Sequence, residues 1–123
     1  MTRLLALAAL LTSLWPSPVW AMSVHEFLTT ANRIPNNPTA LLRADTRRLM
    51  SEVKAAFKAV RDEQSAAQSA GRRPLTCIPA GTKIGISPDS LLARFNAIPT
   101  ARRTISVKQA VQEWMAEDYP CTN

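Results

Sequence analysis

The sequence predicts an all-α protein, a small bundle of about four helices with one intramolecular disulfide. Three observations predict it. Apolar residues between Thr39 and Ala70 recur at helical spacing with no Gly or Pro to interrupt them. Ser- or Asn-led signatures at Ser23, Asn37, Ser87 and Ser106 have the form of helix starts. The chain holds only two cysteines, Cys77 and Cys121, placed where a bridge would tie its last helix to an earlier loop.

Residues 1–21 read as a secretory signal peptide. Arg3 is the only charge, the apolar run Leu4 to Leu11 follows, and Pro16 and Pro18 precede the small-residue site Val19-Trp20-Ala21. The run is shorter than the ~20 apolar residues that cross a bilayer, which favours cleavage after Ala21 over an uncleaved anchor. Cleavage leaves a single domain, 22–123, with 14 Lys and Arg against 9 Asp and Glu, a formal charge of +5. The expected location is periplasmic or secreted, with no stable membrane anchor after cleavage. An oxidising compartment favours a Cys77–Cys121 bridge, worth about 4 kcal/mol for a loop of this length in the chain-entropy model. An intermolecular bridge and a metal site are the rivals. The second is disfavoured because His25 is the only histidine and no C-x-x-C spacing occurs.

Taken in order, Ser23-Val24-His25-Glu26 fits a capping box and opens a helix from Val24 to about Arg33, ended by Ile34-Pro35-Asn36-Asn37. Asn37-Pro38 reads as an N-cap and first-turn proline opening the main helix, which extends over most of Thr39 to Ala70 with possible fraying in the Gln64–Ala70 stretch. Leu42, Leu49, Val53, Phe57 and Val60 form its apolar stripe. On one flank Arg43, Arg47, Lys54, Lys58 and Arg61 fall within about 60° of the helical wheel, while Asp45, Glu52 and Glu63 lie on the other. The basic flank reads first as a solvated surface and second as a docking strip for an acidic partner. Gly71-Arg72-Arg73-Pro74 stops this helix. A loop with Cys77, Pro79 and Gly81 follows, and Lys83 to Ile86 reads as extended but too short to predict a sheet.

Ser87-Pro88-Asp89 starts a third helix carrying Leu91, Leu92 and Phe95 and terminated by Pro99. Ser106-Val107-Lys108-Gln109 is a further capping box, opening a fourth helix with Val107, Val111, Trp114 and Met115 on one face and Pro120 at its end. The expected core is Leu42, Leu49, Val53, Phe57, Leu92, Phe95, Val111, Trp114 and Met115.

Enzyme chemistry is not expected. A nucleophile needs a base, and His25 sits near the start of the domain. Asp89, Glu113, Glu117 and Asp118 read as helix-start or solvated carboxylates rather than an acid–base pair. No phosphate loop, dinucleotide fingerprint or metal motif is present, so no cofactor is expected. Nucleic acid is not an expected partner either, because Phe27, Phe57, Phe95, Trp114 and Tyr119 fall mostly at core spacing rather than interleaved with Arg and Lys.

The segment Cys77-Ile78-Pro79-Ala80-Gly81, the helix with Leu91, Leu92 and Phe95, Ile98-Pro99, the helix Ala110 to Ala116 and the closing Tyr119-Pro120-Cys121 together form a pattern. It resembles the C-terminal half of the Rap/Tai family of type VI secretion immunity proteins, over about residues 75–121. The resemblance implies a small periplasmic helical protein that binds and inhibits a secreted toxic effector, often a peptidoglycan amidase, by covering its cleft. It transfers no binding residue. The alternative reading is a non-enzymatic periplasmic binding module, stress-related or wall-associated, that uses the basic flank. Self-association stays open in both.

Overall fold

The computed structural model describes residues 21–122. The signal-peptide reading of 1–21 lies outside them except for Ala21. Among the described residues four α-helices form: α1 (Val24–Ala31), α2 (Ala44–Ser69), α3 (Pro88–Asn96) and α4 (Val107–Asp118), with short 3-10 turns at Pro38–Leu42 and Thr100–Arg102. No β-strand occurs among the described residues, so the protein is all-α.

The helix starts are where local chemistry places them. A helix leaves its first amides without intrahelical partners, and a serine oxygen is well placed to meet one. Ser23 Oγ accepts from Glu26 N at 3.0 Å, Ser87 Oγ from Ser90 N at 3.1 Å and Ser106 Oγ from Gln109 N at 3.0 Å. The box at Ser23 does not close reciprocally, because the Glu26 carboxylate accepts from Arg48 Nη2 on α2 at 2.7 Å.

Two of these starts also cap each other. Met22 O accepts from Val107 N, and Ile105 O accepts from Val24 N, both at 2.9 Å, forming an antiparallel bridge between Ser23 and Ser106. His25 N donates to Arg103 O at 2.8 Å. First-turn amides of α1 and α4 thus find partners in the segment preceding the other helix. This locks the first residues of the domain to the last helix and buries Met22.

The main helix is not continuous. Asn37 and Pro38 start a 3-10 turn, with Thr39 N donating to Asn37 Oδ1 at 3.0 Å, and Arg43 then adopts an extended ψ of 142° before α2 begins. A 3-10 turn advances about 120° per residue instead of 100°, and the extended Arg43 resets the direction of the chain. Leu42 therefore leaves the apolar stripe and is 75% exposed, against its expected place in the core. At the other end α2 persists through the Gln/Ser/Ala-rich stretch with Ala67 buried. It closes with a Schellman arrangement: Gly71 at φ 68°, Gly71 N donating to Gln68 O and Arg72 N to Ala67 O.

The core lies where α2 packs along α4, with α1 and α3 closing it. Leu49, Val60, Phe95, Val111 and Met115 are buried in it together with Val24, Phe27 and Val107. Phe27 meets Phe95 edge-on at 5.1 Å. Val53, Phe57, Leu92 and Trp114, expected at the centre, are partly buried at its margin. Trp114 spans that margin, edge-on to Phe57 at 6.2 Å and under the Arg94 guanidinium at 5.9 Å.

Phe95→Ala should cost about 3–5 kcal/mol, because the ring is wholly buried. Leu42→Ala should change stability by less than about 0.5 kcal/mol. Urea denaturation of both variants checks the corrected core, and a large loss at Leu42 would return it to the interior.

Candidate functional site

The segment between α2 and α3 has no helix to satisfy its backbone, yet buried peptide groups need partners. Residues 76–78 obtain them from two helices. On the α2 side, Gln64 Oε1 accepts from Ile78 N at 2.8 Å and from Thr76 Oγ1 at 3.1 Å, while Gln64 Nε2 donates to Ile78 O at 2.9 Å. One side-chain amide thus meets both the N–H and the C=O of a single residue, as a neighbouring strand would. At the end of α4, Tyr119 O accepts from Cys77 N at 2.9 Å. The Cys77–Cys121 disulfide lies beside this bond, with Cα atoms 5.0 Å apart, within the span a disulfide needs. Thr76 and Ile78, on either side of Cys77 in the chain, are buried.

Beyond these anchors the chain turns outward. Thr82 N donates to Pro79 O at 3.2 Å, and Gly81 takes φ 78° at the third position of the turn, where type II geometry calls for glycine. A Cβ at Gly81 would meet no atom within 4 Å, so backbone conformation alone demands glycine there. Arg61 Nη2 donates to Thr82 O at 2.5 Å and ties the far side of the turn to α2. Pro79, Ala80, Gly81 and Lys83 are exposed. Between this turn and α2 runs an open groove of about 380 Å³, lined by Arg61, Ser65 and Gln68 on one side and Pro79 and Ala80 on the other. A smaller groove of about 220 Å³ lies nearby, with Arg72, Arg73 and Leu75 at its edge.

The five basic residues of the expected strip meet different fates. Arg61 is drawn into the turn just described. Lys58 pairs with Asp62 one turn on at 2.5 Å, and Arg43 lies 3.8 Å from Asp45. Arg47 donates to Leu42 O at 3.4 Å. Among the described residues, Lys54 has no hydrogen bond or ion pair and Arg47 has no carboxylate partner. The expected acidic flank is also partly consumed, since Glu63 pairs with Lys108 on α4.

Of the four carboxylates considered for catalysis, two are engaged, each by a different arginine. Glu113 accepts from Arg102 at 2.8 Å, and Glu117 from Arg94 at 2.5 Å. His25 is exposed on α1. No group of three or more His, Cys, Asp or Glu among the described residues is arranged to hold a metal ion. No described helix is long and apolar enough to cross a membrane. Sequence reasoning found Cys77, Cys121, Pro79 and Gly81 but missed Gln64, which looks like one more polar residue in a polar stretch. The only available signal was position: Gln64 lies four residues after Val60, on the edge of the buried arc.

The chain matches no protein-family model, no characterised protein and no solved structure.

Gln64→Ala leaves the backbone N–H and C=O of Ile78 without their partner and should destabilise by about 1–3 kcal/mol. Gln64→Glu keeps the acceptor and should recover part of that loss. Reducing the disulfide should remove about 4 kcal/mol more. Denaturant titration of each form checks all three, and a Gln64→Ala change below about 0.5 kcal/mol would refute the clamp.

Proposed function

We propose that this protein is a periplasmic immunity-type inhibitor that binds a secreted toxic effector, with a peptidoglycan amidase as the expected target. The observation that carries the reading is the Pro79–Lys83 turn, exposed at its tip and fixed from below by Gln64, Arg61, Tyr119 O and the disulfide. Fixing a backbone residue costs about 1–2 kcal/mol. A turn already held in one conformation spends that before the partner arrives, and rigid loops bind more tightly for this reason. Occlusion of a cleft asks for shape and rigidity and needs no chemistry from the inhibitor. The sequence resemblance to the Rap/Tai immunity proteins covers this same loop and supports the choice of partner.

A second reading, a wall-associated binding module, is favoured by one observation: Arg47 and Lys54 project from α2 without a carboxylate partner among the described residues.

The test is enzymatic. An equimolar amount of the oxidised 22–123 domain should suppress cleavage of peptidoglycan by the amidase secreted by the same cell. Ala80→Glu, at an exposed position, should weaken inhibition by at least about tenfold, or 1.4 kcal/mol, without lowering the melting temperature. An amidase that stays fully active in the presence of the wild-type domain would end this reading.

A further inference from the structure

At the opposite end of α2 from the clamped turn, apolar and cationic side chains share one exposed surface. Leu41 and Leu42 are 70% and 75% exposed on the 3-10 turn, and Met50 is 49% exposed. Single exposed leucines are ordinary, but a cluster of them is not. Three facts make these one surface. Arg47 Nη1 reaches Leu42 O at 3.4 Å, so its guanidinium sits beside Leu42. Arg47, Met50 and Lys54 are spaced three and four residues apart, within about 60° of the α2 wheel, and Arg43 is the residue that joins the turn to this helix. That arc faces away from Leu49, Ala56 and Val60, the buried side of α2.

The turn is also held in place. Asn37 caps it, Pro38 fixes its first residue, and Arg47 ties its last carbonyl to α2. The leucines are therefore presented outward rather than left on a loose loop. Among the described residues the sole carboxylate paired with this surface is Asp45, against Arg43.

We propose that the Leu41–Leu42 turn, with Met50, Arg43, Arg47 and Lys54, attaches the protein reversibly to an anionic phospholipid surface. The leucines and Met50 would enter the boundary between headgroups and acyl chains while the cations meet lipid phosphates. Charge complementarity selects the lipid: an apolar tip rimmed by cations is the pattern of an interfacial membrane contact. Long Lys and Arg side chains suit that geometry because their stems lie along apolar material while their heads stay in water. A stable protein interface ordinarily covers about 800 Å² per partner, with charge depleted at its centre. Here exposed cations stand among a few apolar tips, and the grooves described above lie at the other end of the helix. The inference is independent of effector binding, which uses the clamped turn.

Co-sedimentation of the oxidised 22–123 domain with vesicles tests it. Vesicles of phosphatidylglycerol and phosphatidylethanolamine should bind the domain and vesicles of phosphatidylcholine should not, with binding weakened by added salt. The double variant Leu41→Ser, Leu42→Ser should lose at least about tenfold in affinity at unchanged melting temperature. Arg47→Glu with Lys54→Glu should do the same. Soluble poly-glutamate serves as a purely anionic competitor and should displace the domain poorly. The proposal is overturned by absence of binding to the anionic vesicles, by leucine variants that bind as wild type, or by poly-glutamate binding as tight as vesicle binding. The last result would mark the surface as a site for acidic protein.

Discussion

The bond between Cys77 and Cys121 joins the helix-free segment between α2 and α3 to the chain just past α4, and the two ends it joins are also hydrogen-bonded to each other through Cys77 N and Tyr119 O. A domain of this size buries a smaller share of its surface than a large one, so its core alone leaves a thin margin. The disulfide acts on the unfolded chain by removing loop entropy. The hydrogen bonds from Gln64 and Tyr119 act on the folded chain by satisfying peptides that would otherwise be buried unpaired. Together they hold α2, the 76–78 segment and the end of α4 in one register, and the principal packing of the protein, α2 along α4, is arranged around them.

At the other end of α4 the same need is met without a covalent bond. The starts of α1 and α4 lie side by side and exchange backbone hydrogen bonds. Ion pairs then run between helices around the outside: Glu26 with Arg48, Glu63 with Lys108, Arg94 with Glu117 and Arg102 with Glu113. Exposed pairs of this kind contribute little each. They engage four carboxylates away from the exposed face of α2, where, among the described residues, Arg47 and Lys54 have no acidic partner.

What the sequence disclosed was chiefly what depends on neighbouring residues. The caps at Ser23, Ser87 and Ser106, the stop at Gly71 and the stripe Leu49–Val60 all follow from local chemistry, and each occurs where the spacing places it. The break at Arg43 did not show, because nothing in Thr39–Arg47 is a helix breaker; the N-cap chemistry of Asn37-Pro38 opens a 3-10 turn as readily as an α-helix. Reading through it put Leu42 in the core and hid the exposed apolar turn. The reciprocal capping of α1 and α4 and the Gln64 clamp were equally hidden, since each joins residues far apart in the chain and polar side chains carry no periodicity that announces a long-range partner. Of the candidate site, the cysteines and the Pro79–Gly81 turn were legible, and the groups that make the turn rigid were not.

The rigidity of that turn is the claim on which the inhibitor reading stands, and amide hydrogen exchange on the oxidised domain measures it most directly. The Cys77 and Ile78 amides should exchange only through global unfolding, with the protection of Val60 and Val111 in the core helices. Exchange of Cys77 and Ile78 at the rate of an exposed loop, while Val60 and Val111 stay protected, would contradict the account.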